Sequence, residues 1–338
     1  MKRFTFLATG LLFLIMVFLF IGFGIFYITP ADKRGTSRAF LVKEGLSLKE
    51  VASELEERKV ITSRTLFGLW AKIMGAGKRI KSGEYLLGPQ MAPVRVLEIL
   101  TRGAVITHLI TIPEGFTREQ IAELLESKNL LPKQAFLSDT SNSALLNQHG
   151  LTARTLEGYL YPDTYKFARG LLASTIIHAM VGRFWQMVGP LKKRAEEVGM
   201  AMEDVVILAS IVEKETALPE ERPMIASVFL NRLKRRMRLA SDPTVIYGME
   251  NFNGNLTRKD LETPTPYNTY IIHGLPPGPI ANPGLESIRA VLWPAMTDYL
   301  YFVSKNDGSH HFSRNLSEHN RAVRIYQKKR SSRRDKTS

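Results

Sequence analysis

Apolar positions recur along the chain at three spacings, and each spacing predicts a different kind of element. No side chain is charged between Phe4 and Ala31, and Leu7 to Ile28 is nearly all apolar. Roughly 22 to 24 such residues span about 33–36 Å as a helix, which predicts a transmembrane helix over 7–28 behind a short stub at 1–6. A cleaved signal peptide fits poorly, because Phe26–Tyr27–Ile28–Thr29–Pro30 offers no small-residue cleavage site. Lys2 and Arg3 precede the span, while Lys33, Arg34 and Arg38 follow it, so the charges do not fix its orientation.

After a linker at 29–38, residues 42–56 recur at 112–126: Glu44 and Gly45 align with Glu114 and Gly115, Ala52 and Leu55 with Ala122 and Leu125. Ser47 and Thr117 read as helix N-caps, and Glu50 and Gln120 complete a capping box three residues on. Leu48, Val51, Ala52 and Leu55 then follow helical spacing, as do Ile121, Ala122 and Leu125. Each copy is expected to be a short strand, a glycine turn and an amphipathic helix. Further on, the period predicts helices over 174–198, 201–217 and 219–238, a strand over 300–304 and a last helix over 317–327. Seven prolines between Pro243 and Pro283 mark 240–284 as a long constrained loop. The fold class is α+β.

Helical geometry singles out one carboxyl group. In the segment 205–217, Leu208, Ile211 and Glu215 share a face at i, i+3 and i+7, so Glu215 continues an apolar stripe. Desolvation there raises its pKa, as a general acid working near neutrality requires. Glu213 lies about 200° round the same helix, so the two cannot act as a retaining or inverting pair, and a salt bridge or an exposed face is the plainer reading to set against the apolar stripe at Glu215. Asn231 interrupts an apolar helical face and needs a hydrogen-bond partner or a ligand. Asp242 precedes a proline, which is expected to hold it extended, with a turn or helix cap as its plainer role. Tyr267, Asn268 and Tyr270, on a proline-stiffened loop, have the chemistry to stack on sugar rings and bond their hydroxyl or acetamido groups.

Composition narrows the classes. The chain of 338 residues carries a net charge of +14 and no cysteine. Thiolate metal sites, disulfides and cysteine nucleophiles are therefore excluded, and a polyanionic partner is favoured. Part of the charge sits in a basic tail at 328–338, with Lys328, Lys329, Arg330, Arg333, Arg334 and Lys336. No Walker A loop, GxGxxG, GxSxG or HExxH occurs. His310, His311 and His319 lack ligand spacing, so neither a metal nor another cofactor is expected. Scattered basic residues and the absence of a recognition motif argue against nucleic acid as a partner.

Several segments in one order resemble the YceG-like family of endolytic murein transglycosylases. They are Glu157-Gly-Tyr-Leu-Tyr-Pro-Asp-Thr-Tyr, Ala209-Ser-Ile-Val-Glu-Lys-Glu-Thr, Ala226-Ser-Val-Phe-Leu-Asn-Arg-Leu and Ser241-Asp-Pro-Thr-Val-Ile-Tyr-Gly, then Leu261 to Tyr270, Gly274 to Ile280 and Glu318-His-Asn. Tyr161 is one departure, where relatives are expected to carry Phe or Trp. The resemblance implies a LysM-like module at 39–106 and a catalytic domain at 107–327, held outside the cytoplasmic membrane by the single span. It implies a lyase that cuts the bond between N-acetylmuramic acid and N-acetylglucosamine inside peptidoglycan strands, leaving 1,6-anhydro ends and ending nascent strands during wall elongation. Glu215 is then expected to be the catalytic acid, with Glu213 as second choice. Substrate contacts are expected from Tyr161, Asp163, Asn231, Asp242, Thr244, Tyr247, Tyr267, Asn268 and Tyr270. The implied partners are glycan strands, the membrane and peptidoglycan synthases. A muramidase using the same acid with water, or a non-catalytic glycan-binding scaffold, are the alternatives.

Overall fold

A computed structural model describes residues 2–328; the side chains of 2–12, 19, 20 and 328 lie outside that description, as do the residues of the basic tail from 329 onward. The chain is α+β, with helices and, among the described residues, three two-stranded sheets. It divides into two compact units, Met1–Ile110 with Lys128–Leu131 and Lys166–Leu172, and Thr111–Ser127 with Pro132–Tyr165 and Ala173–Ser338. Two later segments thus group with the first unit, where the sequence suggested one cut at 106/107.

The first unit runs α1 (Lys2–Ile28), β1 (Arg38–Val42), α2 (Leu48–Glu57), α3 (Arg64–Ile73), β2 (Gly83–Leu87) and α4 (Pro93–Arg102). Helix α1 includes the stretch 7–28 and begins earlier, at Lys2. Among the described residues, however, no helix is long and apolar enough to cross a membrane, and the expected span at 7–28 lies partly outside them. Strands β1 and β2 pair antiparallel with Phe40 opposite Tyr85. Phe40, Leu55, Phe67, Tyr85 and Leu100 bury a common core, each contributing about 1.5–3 kcal/mol of apolar burial. The Ser47 capping box forms as expected, and Gly45 takes φ 89° in the turn before it.

The remaining elements are β3 (His108–Thr111), α5 (Arg118–Ser127), α6 (Lys133–Asp139), α7 (Ser143–Gln148), β4 (Thr164–Phe167), α8 (Ala173–Val188), α9 (Lys192–Glu197) and α10 (Met202–Glu215). After them come α11 (Arg222–Lys234), α12 (Asp242–Tyr247), α13 (Arg258–Glu262), α14 (Leu285–Leu292), β5 (Tyr301–Ser304), β6 (His310–Ser313) and α15 (Leu316–Val323). The second repeat caps its helix as the first does: Thr117 and Gln120 exchange backbone and side-chain hydrogen bonds of 2.9 and 3.2 Å. The helix expected over 174–198 is broken at Gly189–Leu191, because Pro190 has no N–H to continue the ladder.

The expected loop at 240–284 holds two short helices. Asp242 is not in an extended stretch; it opens α12 with Ser241 as N-cap and Pro243 in the first turn, where a missing N–H costs nothing. Helix α10 is the centre of this unit. Val205 through Val212 are buried all the way round, and the helix packs on α11 and α14.

Candidate active site

A helix buried on every side delivers its last turn to a defined place. Glu203 and Asp204 favour the positive N-terminal end of α10. At the other end Thr216 turns extended, with φ −141° and ψ 139°, so the helix stops on Glu215. The apolar stripe expected to shelter Glu215 is one face of a helix that is buried all round from Val205 to Val212.

The two candidate carboxyl groups diverge at this end. The Glu213 side chain is 6% exposed and pairs with Arg222 at 3.2 Å. Its second oxygen accepts from the Gly284 backbone N–H at 3.0 Å. Arg222 also reaches Glu114 at 3.3 Å. Glu213 is therefore spent inside the fold. Among the described residues no cation is in direct contact with Glu215; Ser241 Oγ donates to its Oε1. Burial pushes its pKa up to about 7, with Asp242 adding to the rise while the Ser241 hydrogen bond and Arg232 oppose it.

Glu215 lines a cleft of about 490 Å³ with Arg232, Asp242, Tyr270, Tyr301 and His319. Tyr270 Oη donates to Asp242 Oδ1 at 2.6 Å. Of the nine substrate-contact residues expected from the sequence, Asp242 and Tyr270 share this cleft. Asn231 does not; its Nδ2 donates to the carbonyls of Thr297 and Tyr299 at 2.9 and 3.0 Å, tying α11 to that segment, and it lines a separate cleft. Thr244 is fully buried and bonds the Ser241 carbonyl and Thr269. Asn268 is fully buried too, its amide donating to the carbonyls of Asp260, Leu261 and Thr263. Both pin the loop that carries Tyr270.

The other four lie away from this cleft. Tyr247 and Tyr267 meet edge to face at 4.8 Å, and Tyr247 Oη donates to Glu157 Oε2 at 3.2 Å. Tyr161 is 7% exposed, and its carbonyl accepts from Tyr165 Oη. Asp163 is bonded to Arg183 Nε at 2.7 Å.

Sequence reasoning missed Ser241, Arg232, Tyr301 and His319 as neighbours of Glu215. It also missed Glu157, which is 1% exposed and accepts from Asn282 Nδ2 at 2.8 Å and from the Arg118 N–H. Burial pushes Glu157 up to about 8. Ser241 stood in a quoted segment, but its contact with Glu215 spans 26 residues of sequence and has no local signal. Among the described residues, no group of three or more histidines, aspartates and glutamates is arranged to hold a metal.

Glu215, a half-buried acid at the end of a buried helix, thus stands in a cleft walled by aromatic and polar groups, with Asp242 beside it. The chain belongs to the YceG-like family, whose model matches residues 40–325. It is 34% identical over 301 residues to the endolytic murein transglycosylase of Bacillus subtilis strain 168, covering 84% of this chain and 83% of that one. It is 28% identical over 314 residues to the endolytic murein transglycosylase of Streptococcus pneumoniae serotype 2, strain D39, covering 83% of this chain and 57% of the longer streptococcal one. The crystal structure of a yceG-like protein from Listeria monocytogenes is 33% identical, with a TM-score of 0.60, and covers 85% of this chain and 99% of that one.

Proposed function

We infer that this chain is an endolytic murein transglycosylase, a lyase acting on peptidoglycan, with Glu215 as its one catalytic group. Family membership supports the activity. The observation that carries the residue is the contrast between Glu213, paired inside the fold, and Glu215, unpaired by any cation and held near neutrality in a cleft. In the reaction, protonated Glu215 donates to the glycosidic oxygen between N-acetylmuramic acid and N-acetylglucosamine, and the C1–O bond breaks. The carboxylate left behind takes the proton of the muramic 6-hydroxyl as that oxygen bonds to C1. No water is consumed, and Glu215 ends protonated as it began. The substrate's own acetamido group and the Asp242 carboxylate favour the developing positive charge at C1.

The same reading gives the protein a place at the cytoplasmic membrane, with its catalytic domain on the outer side, where it acts on new strands beside the synthases that make them. Its support is α1, 27 residues long, along which Phe13, Leu14, Met16, Phe18, Ile21 and Ile25 are exposed. Such a row of apolar side chains is costly in water and favourable in lipid.

Glycan release from purified sacculi by wild type, Glu215→Gln and Glu213→Gln tests the assignment. Glu215→Gln is expected to lose at least about a hundredfold in rate, while Glu213→Gln keeps cleaving but unfolds at lower temperature. Mass spectrometry is expected to find anhydro ends; ends heavier by one water would make the enzyme a hydrolytic muramidase. An active Glu215→Gln would overturn the assignment.

A further inference from the structure

The Glu215 cleft contains a donor for which the proton transfers have no use. Helix α15 begins at Asn315, whose side chain accepts from the Glu318 N–H at 3.0 Å, and this cap fixes the first turn. His319 in that turn stacks on Tyr301 of β5, with ring centroids 5.2 Å apart and planes 27° apart. The Arg232 guanidinium lies 5.3 Å from the same Tyr301 ring. It is itself held by the carbonyls of Leu300 and Leu239. The imidazole therefore sits against a fixed aromatic surface.

Its two nitrogens are not equivalent. Nδ1 is buried and has no hydrogen-bond partner. A proton there would be a buried donor with nothing to receive it, so the neutral ring carries its proton on Nε2. Burial first, then Arg232 and His311, holds the imidazole below its ordinary pKa, so the neutral form prevails at pH 7. Among the described residues nothing bonds Nε2, and His319 lines the cleft beside Glu215 and Asp242. An N–H donor is left open to the substrate.

We propose that His319 donates this N–H to the acetamido carbonyl of the glucosamine sugar adjoining the scissile bond, making the cleft a specificity subsite for N-acetylated glycan. Two features favour a neutral acceptor. Asp242 lines the cleft and Glu215 becomes a carboxylate during the reaction, so a stem-peptide carboxylate would meet like charge, and Arg232 is committed to backbone carbonyls. Phe302, Val303, Leu316 and Val323 also line the cleft, an apolar surface suited to the acetamido methyl group. The subsite rests on the reading of Glu215 as the catalytic acid, yet it can fail independently of that reading.

The test compares strands carrying N-acetylglucosamine with strands whose glucosamines have been de-N-acetylated. His319→Phe keeps the ring on Tyr301 and removes the donor; His319→Gln keeps an amide N–H. Wild type is expected to prefer the acetylated strand by roughly tenfold to a hundredfold in kcat/KM, the worth of one polar contact in a sheltered site. His319→Phe is expected to lose that preference, chiefly through a raised KM on the acetylated strand, and to match wild type on the deacetylated one. His319→Gln is expected to restore the preference in large part. Equal losses of His319→Phe on both strands, or an unchanged preference, would overturn the subsite. If His319→Phe does not fold, wild type and His319→Gln decide between them, since absence of preference in either refutes the proposal. An active Glu215→Gln would instead indict the underlying acid assignment, because the subsite is read only from the ratio between two strands.

Discussion

Glu213 and Glu215 are two positions apart on one helix, and partners rather than location on the helix separate their chemistry. The Glu213 carboxyl pairs directly with Arg222; Glu215 is bonded by the Ser241 hydroxyl, and its desolvation outweighs that bond and the more distant Arg232. With a pKa of about 7, Glu215 is protonated and able to donate below neutrality. The acid form is lost as pH rises through that value, so strand cleavage is expected to fall on the alkaline side of about 7. Ser241→Ala sharpens the argument. The hydroxyl bonds the charged carboxylate and so lowers its pKa; its removal is expected to move the alkaline limb upward by about one unit. A pH profile of kcat/KM for the two proteins checks the sign, and a downward shift would mean that the hydroxyl favours the neutral acid.

At the scale of elements, what the sequence made legible was local. Ser47 with Glu50 and Thr117 with Gln120 carry their caps within four residues, so the repeated strand–turn–helix unit could be read directly. Asn231 shows the opposite case. A polar residue on an apolar face announces that it has a partner, but the partner lies at 297–299, about as far along the chain as many complete domains are deep in sequence, and nothing at 231 distinguishes a carbonyl from a sugar. Gly158 is a further position whose reason is tertiary. Its φ is +86°, and a Cβ there would meet Pro279 Cγ at 2.5 Å and Val206 Cγ1 at 2.9 Å. The turn after Glu157 thus lies flat against the 276–280 loop and α10. Gly158→Ala is expected to combine the left-handed backbone cost with a clash that a proline ring cannot relieve, together about 2–4 kcal/mol. Thermal unfolding checks it; a midpoint within a degree or so of wild type would mean that the loop moves aside freely.

At the scale of the whole molecule the sequence was informative about identity and poor about assembly. Motifs in fixed order marked the family over nearly the full length, while the grouping of 128–131 and 166–172 with the first unit depends on contacts that no periodicity reveals. Net charge, a whole-molecule property, does lead to a prediction. At +14 the protein carries a large excess of cations. Stem peptides give a sacculus many carboxylates, so long-range attraction should concentrate the enzyme on intact wall. This attraction is screened over about 10 Å at 0.1 M salt and about 3 Å at 1 M, whereas the proton transfers at Glu215 act over bonded distances. Raising salt from 0.05 to 0.5 M, as rough bounds on that range, is therefore expected to slow release from sacculi several-fold through KM. Cleavage of strands stripped of their peptides, which lose the stem carboxylates but keep one lactyl carboxylate per disaccharide, is expected to depend less steeply on salt. Measured side by side, equal salt sensitivity on the two substrates would place the effect on the fold or the cleft and remove any role for the excess charge.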